Sequence, residues 1–206
     1  MNFFDGIPFI SFLILTTFLV GRIFALQKKG VQVSRKTGET QKSTRFLFPI
    51  FGLIFLIWLF EITKPAFHLS FSLLPEMISN ELFKNIFLKI TGTAIILLSL
   101  VLWIITLLHF KTSLRFGLDE SNRGKLITTG IFSFSRNPFF LSLDLYFAGA
   151  ALIFPTPFFI GFAVLAMASI HLFILKEEKF LRKVYAEEYR KYAEKVRRYF
   201  WKLILI

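Results

Sequence analysis

Gly124-Lys125-Leu126-Ile127-Thr128-Thr129-Gly130-Ile131-Phe132-Ser133-Phe134-Ser135-Arg136-Asn137-Pro138-Phe139-Phe140 is a polar, glycine-punctuated loop that runs straight into an apolar helix. The join is Asn137-Pro138. Asn suits an N-cap, and Pro is tolerated at the first helical position because its missing N–H has no partner there anyway. The free N–H groups and dipole of such a helix end favour an anion. Arg136, beside the join, can form a fork with a carboxylate or phosphate. Phe132, Phe134, Phe139 and Phe140 surround that charge. The stretch reads as a binding loop at a membrane surface.

Outward from the loop, the chain becomes apolar in long blocks. It has 206 residues, 55% of them hydrophobic, with 29 Phe and no Cys. The length fits one domain, residues 1–206. The lack of Cys excludes disulfides, iron–sulfur clusters, thiolate metal sites and a cysteine nucleophile. Apolar blocks predict spans at 7–27, 46–62, 86–109, 138–154 and 157–175, against roughly 20 residues needed to cross a bilayer. The expectation is an all-α integral membrane protein with five transmembrane helices. Lys28 and Lys29 follow the first block rather than precede it, so that block reads as a retained anchor and not a signal peptide.

The net charge of +12 would suggest nucleic acid in a soluble protein. Here it follows topology. Residues 28–45, 110–137 and 176–206 hold 21 of the 25 Lys and Arg. By the positive-inside rule these segments are cytoplasmic, with the N-terminus outside and the C-terminus inside. Residues 28–45 read as a mobile loop, and Leu69 to Phe83, broken by Pro75, as a weakly amphipathic piece on the outer surface. Pro155-Thr156-Pro157 is a short turn, so the last two spans form a hairpin. Ala148, Gly149, Ala150 and Ala151 on one and Gly161, Ala163, Ala166 and Ala168 on the other allow close packing.

After Leu175, residues Leu181, Tyr185, Tyr189, Tyr192, Val196 and Tyr199 recur at helical spacing. They predict an amphipathic cytoplasmic helix over 176–201, lying along the headgroups or folding back over the loops. Glu177-Glu178 opens it. That pair is either a solvated surface pair or contains one carboxylate facing the loop. The hairpin brings Arg136 and Glu177 near one another, since packed helix axes lie roughly 8–10 Å apart. Asp144 lies roughly 9 Å into the fourth span. An intramembrane carboxylate is a functional candidate, though pairing with Arg22 is the structural alternative. Glu61 reads as a carboxylate reaching water at the outer edge of the second span. His109 and His171 lack a third ligand at any metal-binding spacing; they satisfy helix ends or, for His171, contribute to substrate binding. No metal site is expected.

The loop resembles the signature L-V-T-x-G-x-Y-x-x-x-R-[HN]-P-x-Y of the isoprenylcysteine carboxyl methyltransferase and phospholipid N-methyltransferase group of integral membrane methyltransferases. The tail Glu177-Glu178-Lys179-Phe180-Leu181 with Tyr185, Glu188, Tyr189 and Tyr192 is similar to that family's E-E-x-x-L-x-x-x-[FY]-G-x-E-Y-x-x-Y. The two halves cover about residues 124–200 in the right order; the earlier spans match by hydropathy alone. The resemblance implies S-adenosyl-L-methionine as methyl donor, bound on the cytoplasmic side. It implies donor contacts at Lys125, Leu126, Ile127, Gly130, Phe132, Arg136, Asn137, Pro138, Phe140 and Glu177, with Arg136 and Glu177 central to the chemistry. Asp144, His171 and Phe173 become candidates for the acceptor side. The implied acceptor is a lipophilic small molecule or lipid, by an isoprenylcysteine carboxyl methyltransferase-like reaction, with a phospholipid amine as the alternative. The implied setting is a bacterial cytoplasmic membrane, with membrane lipids and no nucleic acid as partners.

Departures from the signature are informative. Phe132 and Phe140 replace Tyr, Asn137 replaces His, and Ala186 replaces the tail Gly. Phe173 stands where eukaryotic prenylcysteine enzymes have an Arg used on the substrate. An NADPH-dependent membrane reductase of related fold would need a basic cluster for a 2′-phosphate. A lipid-binding scaffold built on residues 28–45 and the basic tail would leave the loop signature without a role.

Overall fold

The computed structural model describes residues 3–31, 47–111 and 126–199. Every regular element among them is helical. A 3-10 turn, Phe3–Gly6, leads into α1 (Ile7–Lys28); α2 (Leu47–Ala66), the single turn α3 (Glu76–Ser79) and α4 (Ile86–His109) follow. A second 3-10 turn, Gly130–Ser133, precedes α5 (Pro138–Ile153) and α6 (Pro157–Lys195). Proline opens both α5 and α6, as the sequence predicts. The expected character of most of the 28–45 loop, Lys125, and the last two residues of the predicted tail helix fall outside the described residues.

Among the described residues, four helices are long and apolar enough to cross a membrane: α1 with its preceding turn, α2, α4 and α6. The fifth, α5, is apolar but has 16 residues, roughly 24 Å against about 30 Å of hydrocarbon. Five spans of full length is therefore not what is found. A physical reason lies in the packing, because α5 contacts both α4 and α6 and its ends are met by protein. Exposed Ile10, Val20, Phe24, Leu53, Leu56, Leu97, Val101, Val164 and Leu172 form an outward apolar belt. Such a surface suits lipid and not water, and the chain is a multi-pass membrane protein.

The closest crossing joins α4 to α5. A Cβ on Gly92 would lie 2.6 Å from the Gly149 carbonyl oxygen, and one on Gly149 would lie 2.7 Å from that of Gly92. The small-residue face of α5 thus serves α4 at Gly149, while Gly161 of α6 has open space around its Cα. At these two glycines the expected role in the α5–α6 hairpin is not found, although α5 and α6 do pack on one another, with Ala150, Ala151 and Ala166 in the shared core. Ser99 Oγ donates to the Ser142 carbonyl at 2.7 Å, which fixes the same crossing from inside. Trp58 is the hub of the remaining core, stacked on Phe55 and Phe162 and edge-on to Phe12, Tyr146 and Phe147. The Tyr146 hydroxyl donates to the Pro8 carbonyl at 2.7 Å, tying α5 to α1.

The apolar, membrane-spanning part of α6 leads without a break at Leu175 into the polar half that follows it. The helix is continuous through Lys176, because Leu175-Lys176-Glu177-Glu178 are all good helix formers with nothing to break them. Its irregularity comes at Ala186, with φ 40° and ψ −112°. It ends at Lys195, and Val196 is extended. Tyr199 therefore leaves the helical face that its spacing predicts.

At the end of the bundle formed by the N-terminus and the α5–α6 turn, residues 69–85 are irregular apart from α3. They are pinned by the Leu82 N–H donating to the Pro155 carbonyl at 2.8 Å. Beneath them lies a cleft of about 640 Å³ lined by Phe154, Phe159 and a set of charged side chains. Glu61 is buried there, 2.8 Å from Lys64, and does not reach water as its position in the sequence suggests.

Candidate functional site

The other end of the bundle is assembled from residues 126–137, the first turn of α5, the polar half of α6 and the chain that follows it. Gly130 has φ +66° and packs so closely on the His109 ring that any Cβ would collide with it. That contact seats the loop on the end of α4 and gives His109 a structural role, its Nδ1 lying 2.8 Å from the Ile105 carbonyl. Phe132 is buried edge-on against Phe110, and its carbonyl accepts from the Tyr192 hydroxyl at 2.6 Å. Leu126 packs on the cluster of Tyr189, Tyr192 and Val196. Ile127 is half-buried beside it.

Arg136 is the first charged group of the site. Its Nη2 lies 2.9 Å from Glu178 Oε1, and its guanidinium sits 5.9 Å from the Tyr189 ring centroid. Glu178 is also gripped from the opposite side. Arg198 donates Nε to Oε1 at 3.1 Å and Nη2 to Oε2 at 2.8 Å. Glu178 therefore joins two arginines and is fully buried. Although burial pushes its carboxyl up, the Arg198 hydrogen bonds and the charges of Arg136, Arg198 and Arg182 outweigh that and hold it below the usual range.

Glu177 stands about 100° round the helix from Glu178 and is treated differently. Its Oε2 is buried with no hydrogen-bond partner. Burial, and then the neighbouring Glu178 charge, pushes its carboxyl up to about 7. Arg136 Nε and the Tyr189 hydroxyl are likewise buried without a partner. Tyr189 is pushed up to about 12, chiefly by burial and then by the charge of Glu178, with Glu177 a smaller contributor. Three polar groups of one locality are thus left unsatisfied, which native proteins normally avoid.

Asn137 occupies the N-cap position of α5, but its side chain makes no capping bond. Its Nδ2 donates instead to the Arg198 carbonyl at 3.2 Å, which also accepts from Ser135 Oγ. The Arg136 N–H donates to the Arg197 carbonyl at 3.1 Å. Pro138 is buried at the start of α5, and Phe140 reaches Phe173 of α6 at 5.5 Å between ring centroids.

Deeper along the same helices lie the acceptor-side candidates. Asp144 follows Pro138 by six residues and His171 precedes Glu177 by six, so both sit roughly 9 Å from the charged layer. The expected Arg22–Asp144 pair does not form: Arg22 Nη2 donates to the Lys111 carbonyl at 3.0 Å. Asp144 Oδ1 is buried with no hydrogen-bond partner. His171 Nδ1 lies 2.7 Å from the Tyr199 hydroxyl. Burial, then the Asp144 charge, raises Tyr199, so the carboxylate lies within electrostatic reach of that pair.

The sequence sets Arg136 near Glu177, whereas the ion pair forms with the neighbouring carboxylate, Glu178. The sequence reading misses Arg198 and the backbone of residues 197–198 altogether, because their helical spacing conceals an extended segment. A separate cavity of about 510 Å³ lies between Thr128–Phe134 and the outer face of α6, lined by Lys191, Lys195 and Glu188 rather than by Arg136 or Glu177.

A family model described as phospholipid methyltransferase matches residues 87–188, about half of the chain. No curated protein and no solved structure matches. The matched interval runs from the first turn of α4 through the loop and α5 into the polar half of α6. It thereby contains Arg136, Asp144, Glu177 and Glu178, and on this match the chain belongs to the phospholipid methyltransferase family of membrane proteins.

Proposed function

We propose that residues 1–206 form one methyltransferase domain that transfers a methyl group from S-adenosylmethionine to a lipid acceptor, at the membrane face where Lys and Arg are concentrated. The observation that carries the donor assignment is the trio of unsatisfied buried groups, Glu177 Oε2, Arg136 Nε and Tyr189 OH. A zwitterionic ligand with an ammonium, a carboxylate and ribose hydroxyls supplies the partners they lack. The residues present therefore fit that donor. Bound there, S-adenosylmethionine supplies a methyl group activated on a sulfonium.

Glu177 accepts from the ammonium or the ribose hydroxyls. Arg136 Nε and the Tyr189 hydroxyl donate to oxygen. Phe132 and Phe140 offer apolar ring faces, which suit a cation poor in hydrogen-bonding groups. Lys125, Leu126, Ile127, Gly130, Asn137 and Pro138 complete the proposed donor contacts through the loop. Displacement at a methyl carbon needs alignment more than acid–base help, so the work of these residues is to hold, orient and exclude water.

The acceptor side favours an amine over a carboxylate. Asp144 is a buried carboxylate whose Oδ1 has no hydrogen-bond partner, within electrostatic reach of Tyr199, which in turn meets His171. Such a group attracts an ammonium, can take the proton that an amine releases, and repels a second carboxylate. Phe173 brings no cation to a prenylcysteine carboxylate. A phospholipid amine entering from the bilayer is the reading these residues support best. Purified protein should transfer labelled methyl from S-adenosylmethionine to phosphatidylethanolamine in mixed micelles. Transfer to a farnesylcysteine carboxylate alone would overturn the amine assignment, and transfer to neither would overturn the methyltransferase reading.

A further inference from the structure

We infer that residues 196–199 form a strap that completes the donor site, with Arg198 as a positioning residue that holds Glu178 on Arg136 and so keeps Glu177 available to ligand. The inference rests on the donor reading above and adds to it a segment beyond the matched interval.

The geometry is specific to the strap. The α6 helix ends at Lys195, and the next four residues turn back along the loop. The carbonyls of Arg197 and Arg198 accept from Arg136 N–H, Ser135 Oγ and Asn137 Nδ2, so the backbone is tied to the three residues ahead of Pro138. The Tyr199 hydroxyl meets His171 on the other side. Between these ties the Arg198 side chain reaches back to grip both oxygens of Glu178.

That grip decides a competition. Two adjacent carboxylates, Glu177 and Glu178, face one loop arginine. Arg136 alone could be drawn to either, and a pair with Glu177 would occupy the oxygen proposed for the ligand. A bidentate fork fixes the orientation of a carboxylate as a single contact does not. With Glu178 held by Arg198, its Oε1 is presented to Arg136 and Glu177 Oε2 stays unpartnered. The groups bearing on the two carboxylates are Arg136 from the loop, Arg182 and Tyr189 from α6, and Arg198 and Tyr199 from the strap. Removing Arg198 leaves the Glu178 charge less neutralised beside Glu177. The Glu177 carboxyl then ionises at higher pH.

The test is calorimetric binding of S-adenosylhomocysteine to the full chain in detergent across pH 6 to 8, with melting temperature measured alongside. Arg198→Gln is expected to weaken binding about tenfold or more, the size of one lost charged hydrogen bond. It should also move the midpoint of the pH dependence upward. Arg198→Lys keeps the charge but lacks the fork, and should recover the midpoint more than the affinity. Arg190→Gln, whose exposed side chain pairs with Glu187 outside the strap, should bind like wild type. If Arg198→Gln does not fold, Arg198→Lys decides by the same readout. Wild-type affinity and midpoint in both Arg198 variants, with only the melting temperature lowered, would overturn the inference and reduce the strap to a staple. Failure of the wild-type chain to bind would instead remove the donor reading and this inference with it.

Discussion

The two ends of the bundle both carry charge around an opening, yet they are built on opposite terms. At the end near the N-terminus, each of the acids lining the 640 Å³ cleft has a lysine close by. Glu61 lies 2.8 Å from Lys64, Glu81 3.3 Å from Lys89 and Asp5 3.9 Å from Lys89. None of these carboxylates is left buried without a partner. At the loop end, Glu178 is doubly paired while Glu177, Arg136 Nε, Tyr189 OH and Asp144 each keep a buried polar atom unsatisfied. An unsatisfied buried group costs about 1–3 kcal/mol, and a fold keeps such groups where something else completes them. Cavity volume alone does not distinguish the two ends; the unpaired atoms do.

The most disruptive way to probe the contrast is to break the paired part of the loop end. Glu178→Ala leaves Arg136 and Arg198 facing one another without their shared counter-charge. It should destabilise by about 3–5 kcal/mol, measured by denaturant unfolding in detergent. At the opposite end Glu81→Ala removes a half-exposed pair, and should cost at most about 1 kcal/mol. Equal losses would mean that the Glu178 cluster is no more than a surface ion pair.

Next in size is the unpaired part. Glu177→Ala should weaken S-adenosylhomocysteine binding by about 1.5–3 kcal/mol, roughly ten- to a hundredfold, without lowering stability. Its pH linkage sharpens the point. The carboxyl keeps its proton to about pH 7 in the folded chain against an ordinary 4.5. Between those values the folded state binds the extra proton, so ligand-free stability falls as pH rises. Melting temperatures at pH 5 and 8 should show that fall in the wild type and a smaller one in Glu177→Gln.

A smaller effect is expected at Ala186, whose positive φ is a conformation that L side chains rarely adopt and that typically costs on the order of 1–3 kcal/mol. Ala186→Gly removes that strain while losing some helix propensity, for a net gain of about 1 kcal/mol. A loss would show that the kink is not strained. The smallest effect belongs to the opposite end, where Glu81→Ala should leave S-adenosylhomocysteine affinity unchanged.

The sequence makes the helices legible because lipid imposes a coarse rule: long apolar blocks, prolines at starts, basic segments between. Pro138 and Pro157 mark their helices to the residue. What hydropathy does not carry is which of two adjacent carboxylates is paired. Glu177 and Glu178 share composition and depth, and what separates them is the pairing of Glu178 with Arg136 from the loop and Arg198 from the strap. The strap itself is hidden because Val196 and Tyr199 continue the helical spacing of Tyr189 and Tyr192, while backbone bonds to Ser135–Asn137 pull the chain out of the helix. Arg22 and Asp144 read as partners from similar depth, but depth does not specify azimuth, and Arg22 turns to the Lys111 carbonyl. Ala186 is the instructive case of a departure from the signature. The tail pattern has Gly there, and the backbone adopts a conformation that favours Gly.

The central claim is that Glu177 is held open for the methyl donor. It is tested most directly by calorimetric titration of S-adenosylhomocysteine into the wild type and Glu177→Gln at pH 6, 7 and 8. With the free carboxyl titrating near 7, wild-type affinity should tighten about tenfold from pH 6 to 8 and level off. The Gln variant should bind more weakly at pH 8 and show no such dependence. Binding that is equally tight and equally flat with pH in both proteins, or absent from both, would contradict the account.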